Sequence, residues 1–197
     1  DRGLELVSFN PAIDRLIAIG DLIDRGPDSA RLLLQVQSED WFIALRGNHE
    51  LLMQEAMASF EAHQIWKNNG NDWSRLLDSD ALESLTNVIT GLPICIELPL
   101  PDGRRIGLIH AEVRVGQSWD DLRSLVVRHY DGLDDSGGSN ASAALWGRRR
   151  IRAWAVHALA KSAQQLDAIK RARVWESLQP VPGIDLIVAG HSVLTQK

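Results

Sequence analysis

Residues 15–26 read RLIAIGDLIDRG, and the fold turns on how that stretch divides. Arg15-Leu-Ile-Ala-Ile19 is a short, β-branched apolar run that stops at Gly20, the pattern of a buried strand entering a loop. Past it, Asp21, Asp24 and Arg25 crowd polar chemistry into a few positions before Pro27 and Asp28 punctuate the chain. Leucines at helical spacing then run over Ser29–Gln37, with Asp28 or Ser29 placed to cap that helix. A second apolar run, Trp41–Leu45, stops at Gly47, and its spacing predicts a helix over Glu50–Phe60. Strand, glycine-bearing loop and helix, twice over, is the βαβ signature of a largely parallel sheet.

Working outward, Ser79–Thr90 is expected to be helical and to stop at Gly91 and Pro93. Ile94–Leu98 and Arg105–Ile109 flank Pro101-Asp102-Gly103, a turn tripeptide, and so read as a β-hairpin ending at His110. Tyr130–Ser142 (YDGLDDSGGSNAS) is rich in Gly, Asp and Ser and reads as a loop. Ile151–Leu178 is a long amphipathic helical region with room for one break. A last strand, Ile184–Ala189, ends at Gly190-His191. Neither a repeat nor a domain linker is visible, so residues 1–197 are expected to form one domain. At 197 residues the chain is long enough for one compact α/β domain and short for two.

Apolar content of 45% and charged content of 24% exclude disordered and fibrous classes. A net charge of -5 argues against a partner that presents a nucleic-acid backbone. Cys95 is the one cysteine; it excludes an internal disulfide, and its apolar surroundings read as a buried structural thiol. Neither a membrane-spanning run nor a signal peptide is visible, so a cytoplasmic protein without a membrane partner is the expectation.

Four strand ends carry ligand-type residues: Gly20-Asp21-Leu-Ile-Asp24-Arg25-Gly26, Gly47-Asn48-His49-Glu50, His110-Ala111 and Gly190-His191-Ser192. In open α/β sheets the loops beyond strand C-termini converge on the ligand site. Collected, these loops hold carboxylates, a carboxamide, imidazoles and a guanidinium, a mixed O and N set that suits Mn²⁺, Fe or Zn²⁺ better than Ca²⁺. Two such ions about 3.5–4 Å apart can clamp a phosphoryl group. Each residue also has a plain reading. Asp21 and Asp24 fit turn or capping carboxylates, Asn48 fits a left-handed turn, and His49, His110 and His191 fit ordinary backbone-bonded histidines. Arg25 fits a surface charge. Their joint occurrence at four ordered strand ends favours a shared site.

GDLIDRG, GNHE, the isolated HA after a hairpin and the final GH resemble the ordered motifs of the metallophosphoesterase superfamily, and within it the phosphoprotein phosphatase family of serine/threonine phosphatases. Trp66-Lys-Asn-Asn-Gly70-Asn-Asp-Trp73 and Leu145-Trp-Gly-Arg148 are similar to its bacteriophage lambda-type, bacterial branch. The resemblance implies a calcineurin-like β-sandwich of two mixed sheets flanked by helices. It also implies two divalent metals, with Mn²⁺ ahead of Fe or Zn. Asp21 would bridge the metals, and Asn48, His110 and His191 would complete the second metal's shell. Arg25 and Arg148 would clamp phosphate, with Arg149 and Arg150 as neighbouring candidates for the latter role. His49 would protonate the leaving alkoxide and Asp24 would orient its ring; Glu50 carries no assigned role. The reaction implied is in-line attack of a metal-bridging hydroxide on a phosphorylated protein, peptide or small phosphoester, without a phosphoenzyme.

The family's opening Gly-Asp-x-His-Gly motif, which supplies first-metal ligands, has no counterpart here, and the fold is expected to be incomplete at both termini through trimming or disorder rather than evolved loss. A symmetrical dinucleoside polyphosphate hydrolase shares the same metal core; GNHE leans toward the protein phosphatase. A metal-deficient pseudophosphatase that binds phosphorylated partners is the reading from another class. Tyr130–Ser142 reads either as a lid or as a tolerated insertion. The basic run beginning at Arg148 reads as a solvated helix face. Trp41, Trp154 and Trp175 fit apolar faces, and Trp66 and Trp73 are expected to be structural.

Overall fold

A computed structural model of the protein describes residues 8–130, 138–159 and 168–192. The result is a mixed α/β protein with two sheets. The chain forms two compact units, one of Asp1–Ala18, Leu22–Ala44 and His49–Leu92, the other of Ile19–Asp21, Leu45–Asn48 and Pro93–Lys197.

In the first unit, β1 (Leu16–Ala18) pairs in parallel with β2 (Phe42–Ala44). Helix α1 (Ser29–Ser38) makes the crossover, so the expected βαβ unit is present. Neither expected residue caps α1. Asp28 makes no side-chain cap bond, and the Ser29 hydroxyl is occupied, accepting from the Asp24 amide at 3.1 Å. The helix expected over Glu50–Phe60 is instead two, α2 (Asn48–Ala56) and α3 (Phe60–Lys67). Ser59, extended at φ -142°, ψ 131°, caps α3 by accepting from the Ala62 amide, a signal the apolar spacing obscured. A 3-10 turn (Asp72–Leu76) and α4 (Ser79–Thr90) follow. α4 begins where expected because Asp78 accepts from the Ala81 amide at 2.9 Å.

The core of this unit gathers Leu33 from α1, Leu52 and Met53 from α2, Trp66 from α3, Leu85 and Ile89 from α4, and Ile23 from the loop after β1. Full burial of such side chains stabilises by about 1.5–3 kcal/mol each. That packing gives the Ile23 loop a rigid floor.

In the second unit, β3 (Cys95–Pro99) and β4 (Arg105–Ile109) form the expected antiparallel hairpin, and β5 (Leu186–Ala189) adds to β4 in parallel. The sheet is therefore mixed, as the family resemblance implies, while the parallel pairing read from the first two strands is that of β1 and β2. α5 (Trp119–Tyr130) packs its first residue under β4. The Trp119 indole lies 2.7–2.9 Å from where a Cβ on Gly107 would sit, so a side chain there would displace the ring. α6 (Gly138–Trp146), α7 (Arg149–Leu159) and α8 (Ala168–Leu178) complete the unit.

Two expectations need correcting. Tyr130 ends α5, and residues 138–142 open α6 rather than a loop, while 131–137 lie outside the described residues. Gly138, Ser139 and Ser142 are turn formers by propensity, but α6 also carries Ala143, Ala144 and Leu145, of which Ala144 and Leu145 are buried; packing overrides propensity there. Trp154 and Trp175 are half or more exposed, not packed on apolar faces. The helical region expected over Ile151–Leu178, with room for one break, is present as α7 and α8, with 160–167 outside the described residues. No described helix is long and apolar enough to cross a membrane. Cys95 is partly buried, and burial raises its thiol pKa to about 11, in keeping with a structural role.

Candidate active site

The chain takes a left-handed turn after β1 and again after β5, two of the strands that end in ligand-type residues. Among the described residues, the non-glycine positions with positive φ are Asp21 (56°), Asp24 (72°), Arg25 (61°) and His191 (64°). Each such conformation costs about 1–3 kcal/mol and persists only where its surroundings over-determine it. All four are residues the sequence marks as site candidates.

Asp21, Asn48, His110 and His191 all fall in the second unit, and they meet there. His110 is buried at the end of β4, and its Nε2 lies 3.0 Å from Asn48 Oδ1, 3.0 Å from His191 Nδ1 and 3.4 Å from Asp21 Oδ1. The ligand atoms of Asp21, His110 and His191 all lie within 4.8 Å of one another. His110 Nδ1 donates to the Ile19 carbonyl at 2.7 Å, which leaves Nε2 as the ring's lone-pair nitrogen, the tautomer a metal ligand needs. Gly20 makes the close approach possible: at φ +76°, a Cβ would fall 2.6 Å from Gly47 Cα and 2.7 Å from His110 Nδ1. Oxygen and imidazole donors pooled on one point, with Asp21 about a third exposed and the rest more enclosed, fit a divalent transition metal with an open side.

Three consecutive arginines follow α6, and their partners separate them. Arg148 Nε donates to His191 Nε2 at 3.1 Å. Arg149 bonds Glu176 and the Ser177 hydroxyl, and Arg150 spans the carbonyls of Val113, Ser177 and Gln179. Arg149 and Arg150 are thus engaged in tying α7 to α8 and the chain beyond it. The Trp146 ring stands edge-on to His191 at 6.2 Å.

A second constellation lies in the first unit. His49 Nδ1 is 2.6 Å from Asp24 Oδ2, with both side chains nearly inaccessible. A carboxylate only accepts, so Nδ1 carries the proton toward Asp24 and Nε2 is the ring nitrogen on the far side of the dyad. Arg25 Nη2 donates to that Nε2 at 3.2 Å.

Glu50, to which the sequence assigned nothing, is fully buried and accepts from the amides of Leu22 and Ile23 at 2.7 and 3.3 Å. The Asp24 amide bonds Ser29 Oγ, and the Arg25 amide bonds the Gly70 carbonyl at 3.0 Å. Four successive amides are therefore held by tertiary partners, which fixes the strained loop. The signal for Glu50 was an acidic residue at the start of a helix whose neighbours are apolar; its spacing to Leu22 is not readable from sequence.

The chain is similar to serine/threonine-protein phosphatase 1 of Salmonella typhimurium strain LT2, 40% identical over 93 residues, which is 46% of this chain and 42% of the relative. It is similar to serine/threonine-protein phosphatase 2 of Escherichia coli K12, 36% identical over 112 residues, 55% of this chain and 50% of the relative. It is also similar to the symmetrical bis(5'-nucleosyl)-tetraphosphatase of Pseudomonas entomophila strain L48, 42% identical over 110 residues, 46% of this chain and 37% of the relative. The matches span half or less of each relative's length. The profile of the calcineurin-like phosphoesterase family matches residues 4–194, nearly the whole chain, and the chain belongs to that family.

Proposed function

We propose that this chain carries the core of a metal-dependent phosphoester hydrolase acting on phosphoserine and phosphothreonine, and that Asp21, Asn48, His110 and His191 hold one of its divalent ions, with Mn²⁺ first among the candidates. The observation that supports this most is the meeting of those four side chains, from four strand ends, on one point. A divalent ion bound there supplies Lewis-acid polarisation of the phosphoryl oxygens and a water acidified toward a pKa of about 7.

The chain's own residues supply the rest. Asp24 holds the His49 ring with Nδ1–H toward its carboxylate, so the proton for the leaving alkoxide is carried at Nε2. Arg25 rests on that nitrogen as a donor; once Nε2 carries a proton it no longer accepts, and the guanidinium is released to bind phosphate. Arg148 rests likewise on His191 Nε2, and its planar fork suits bidentate phosphate contacts. His49 follows Asn48 directly in the chain, and Asp24 follows Asp21 by three residues.

The names of the relatives favour two substrate classes, a phosphorylated protein and a symmetrical dinucleoside tetraphosphate. The full-length protein loaded with Mn²⁺ is to be assayed on a phosphoserine peptide and on diadenosine tetraphosphate. Preference for the peptide is expected. Preference for the dinucleotide by tenfold or more in kcat/KM reassigns the substrate, and no hydrolysis of either supports the phosphate-binding, non-catalytic reading.

A further inference from the structure

The Asp24 carboxylate is completely enclosed, and His49 accounts for only one of its hydrogen bonds. Trp66 Nε1 donates to it at 3.1 Å from Oδ1 and 3.2 Å from Oδ2, and Trp73 Nε1 donates to Oδ1 at 2.8 Å. The two indoles meet edge to face, centroids 6.1 Å apart at 77°. Trp66 is fully buried in the core of its unit, from α3, and Trp73 comes from the 3-10 turn. Between them, Gly70 turns the chain at φ +102°, where a Cβ would fall 2.8 Å from Arg25 Cγ, and its carbonyl accepts the Arg25 amide. One short segment thus brackets both Asp24 and the residue after it.

The choice of donor matters chemically. A buried carboxylate needs its lone pairs occupied, and an arginine or lysine would do so while cancelling the charge that stabilises an imidazolium. An indole N–H is a donor only and does not ionise. Two indoles therefore fix the plane of the carboxylate and leave its charge available to His49. With Oδ1 held by Trp73 and the carboxylate edge by Trp66, Oδ2 is aimed at His49 Nδ1.

We propose that Trp66 and Trp73 are positioning residues for leaving-group protonation: through Asp24 they hold His49 in the one orientation that presents Nε2 to the departing alkoxide. This rests on the reading of His49 as general acid given above. General acid catalysis contributes typically about 10²–10⁴-fold, and it is needed for an alkoxide but hardly for a leaving group that departs as a stable phenolate.

The test compares kcat on a phosphoserine peptide with kcat on p-nitrophenyl phosphate, using the full-length Mn²⁺-loaded protein and its Trp73→Phe, Trp66→Phe and His49→Asn variants. Trp73→Phe is expected to lower kcat on the peptide by about 10–100-fold and on the nitrophenyl ester by about threefold or less, with KM and bound metal unchanged. His49→Asn is expected to show the same split, larger. Equal losses of Trp73→Phe on both substrates, or none on either, would overturn the positioning role if His49→Asn still shows the split. If His49→Asn shows no split, the general-acid reading itself fails. Should Trp73→Phe not fold, the same comparison is made with Trp73 replaced by its benzothienyl analogue, which keeps the outline and substitutes sulfur for N–H; an unchanged peptide rate there overturns the proposal.

Discussion

Glu50 offers the sharpest test of how the site is held, because its role was invisible in sequence and is definite in structure. It is fully buried on the first turn of α2, and one oxygen, Oε1, takes the amides of both Leu22 and Ile23. Glu50→Ala removes that acceptor from two amides in a loop with little access to water, at about 1–3 kcal/mol each. Part of that loss is returned, since an unanchored loop can relax the left-handed backbone at Asp24 and Arg25. The net is about 2–4 kcal/mol, a large share of the roughly 5–15 kcal/mol typical of a folded protein. Glu50→Gln keeps a neutral acceptor oxygen at the same place and should lose about 1 kcal/mol. Urea unfolding of the full-length protein followed by tryptophan fluorescence measures both. At a slope of about 2 kcal/mol/M, the alanine variant's midpoint falls by about 1–2 M and the glutamine variant's by about 0.5 M. An alanine midpoint within about 0.3 M of the parent, or a glutamine variant as weak as the alanine one, would refute the anchoring argument.

His49→Asn should slow turnover of phosphopeptide by about 10²-fold or more while leaving bound metal near the parent's level, measured by elemental analysis; metal lost in step with activity would make His49 a ligand. Gly20→Ala must place a methyl within 2.6 Å of Gly47 Cα and 2.7 Å of His110 Nδ1 at an unfavourable φ. Calorimetric titration with Mn²⁺ should show affinity reduced by about tenfold or more, matching the 10–100-fold range seen when groups orienting metal ligands are disturbed. Cys95, with its thiol raised to about 11, should react with an aromatic disulfide reagent at pH 8 on the order of 100-fold more slowly than a thiol of ordinary pKa near 8.5. Because a raised thiol pKa keeps the folded state neutral while the unfolded thiol ionises, that residue should also weaken the fold slightly above pH 9 or so.

The sequence carried the βαβ unit, the hairpin and the last strand well, because glycine, proline and β-branched runs punctuate them directly. α4 was legible to the residue, since Asp78 caps it and Gly91 ends it. The break at Ser59 was not, because Met57 and Phe60 continue the apolar spacing while a single hydroxyl starts a new helix. Ordered motifs singled out the four side chains that meet at His110, as all four follow strand ends. The three arginines after α6 differ in reach rather than in type. Arg148, Arg149 and Arg150 are indistinguishable by type, and only their partners, His191 against Glu176 and the Val113 carbonyl, tell them apart. Of the tryptophans, one pair was misjudged, and the other pair has a partner that sequence does not show. Trp154 and Trp175 sit in helical patterns that imply an apolar face but are exposed, whereas Trp66 and Trp73 donate to a site carboxylate 42 and 49 residues away in the chain.

The plain and the chemical readings of Asp21 and Asp24 turn out not to be rivals. Aspartate after a strand beside glycine is a turn former because its short side chain tolerates left-handed backbone, and both residues adopt that backbone at φ 56° and 72°. A glycine would accept the same φ without strain, so a turn alone would be better served by it. Keeping a carboxylate there is worthwhile only if its oxygens have work to do: Asp21 Oδ1 lies 3.4 Å from His110 Nε2, and Asp24 Oδ2 lies 2.6 Å from His49 Nδ1. His191 repeats the logic at φ 64°, where asparagine or glycine would be the ordinary choice and an imidazole reaches His110 instead. The left-handed backbone is thus how the loop points short side chains back toward the strand ends, and the tertiary bonds on the amides of Leu22, Ile23, Asp24 and Arg25 are what keep it from relaxing.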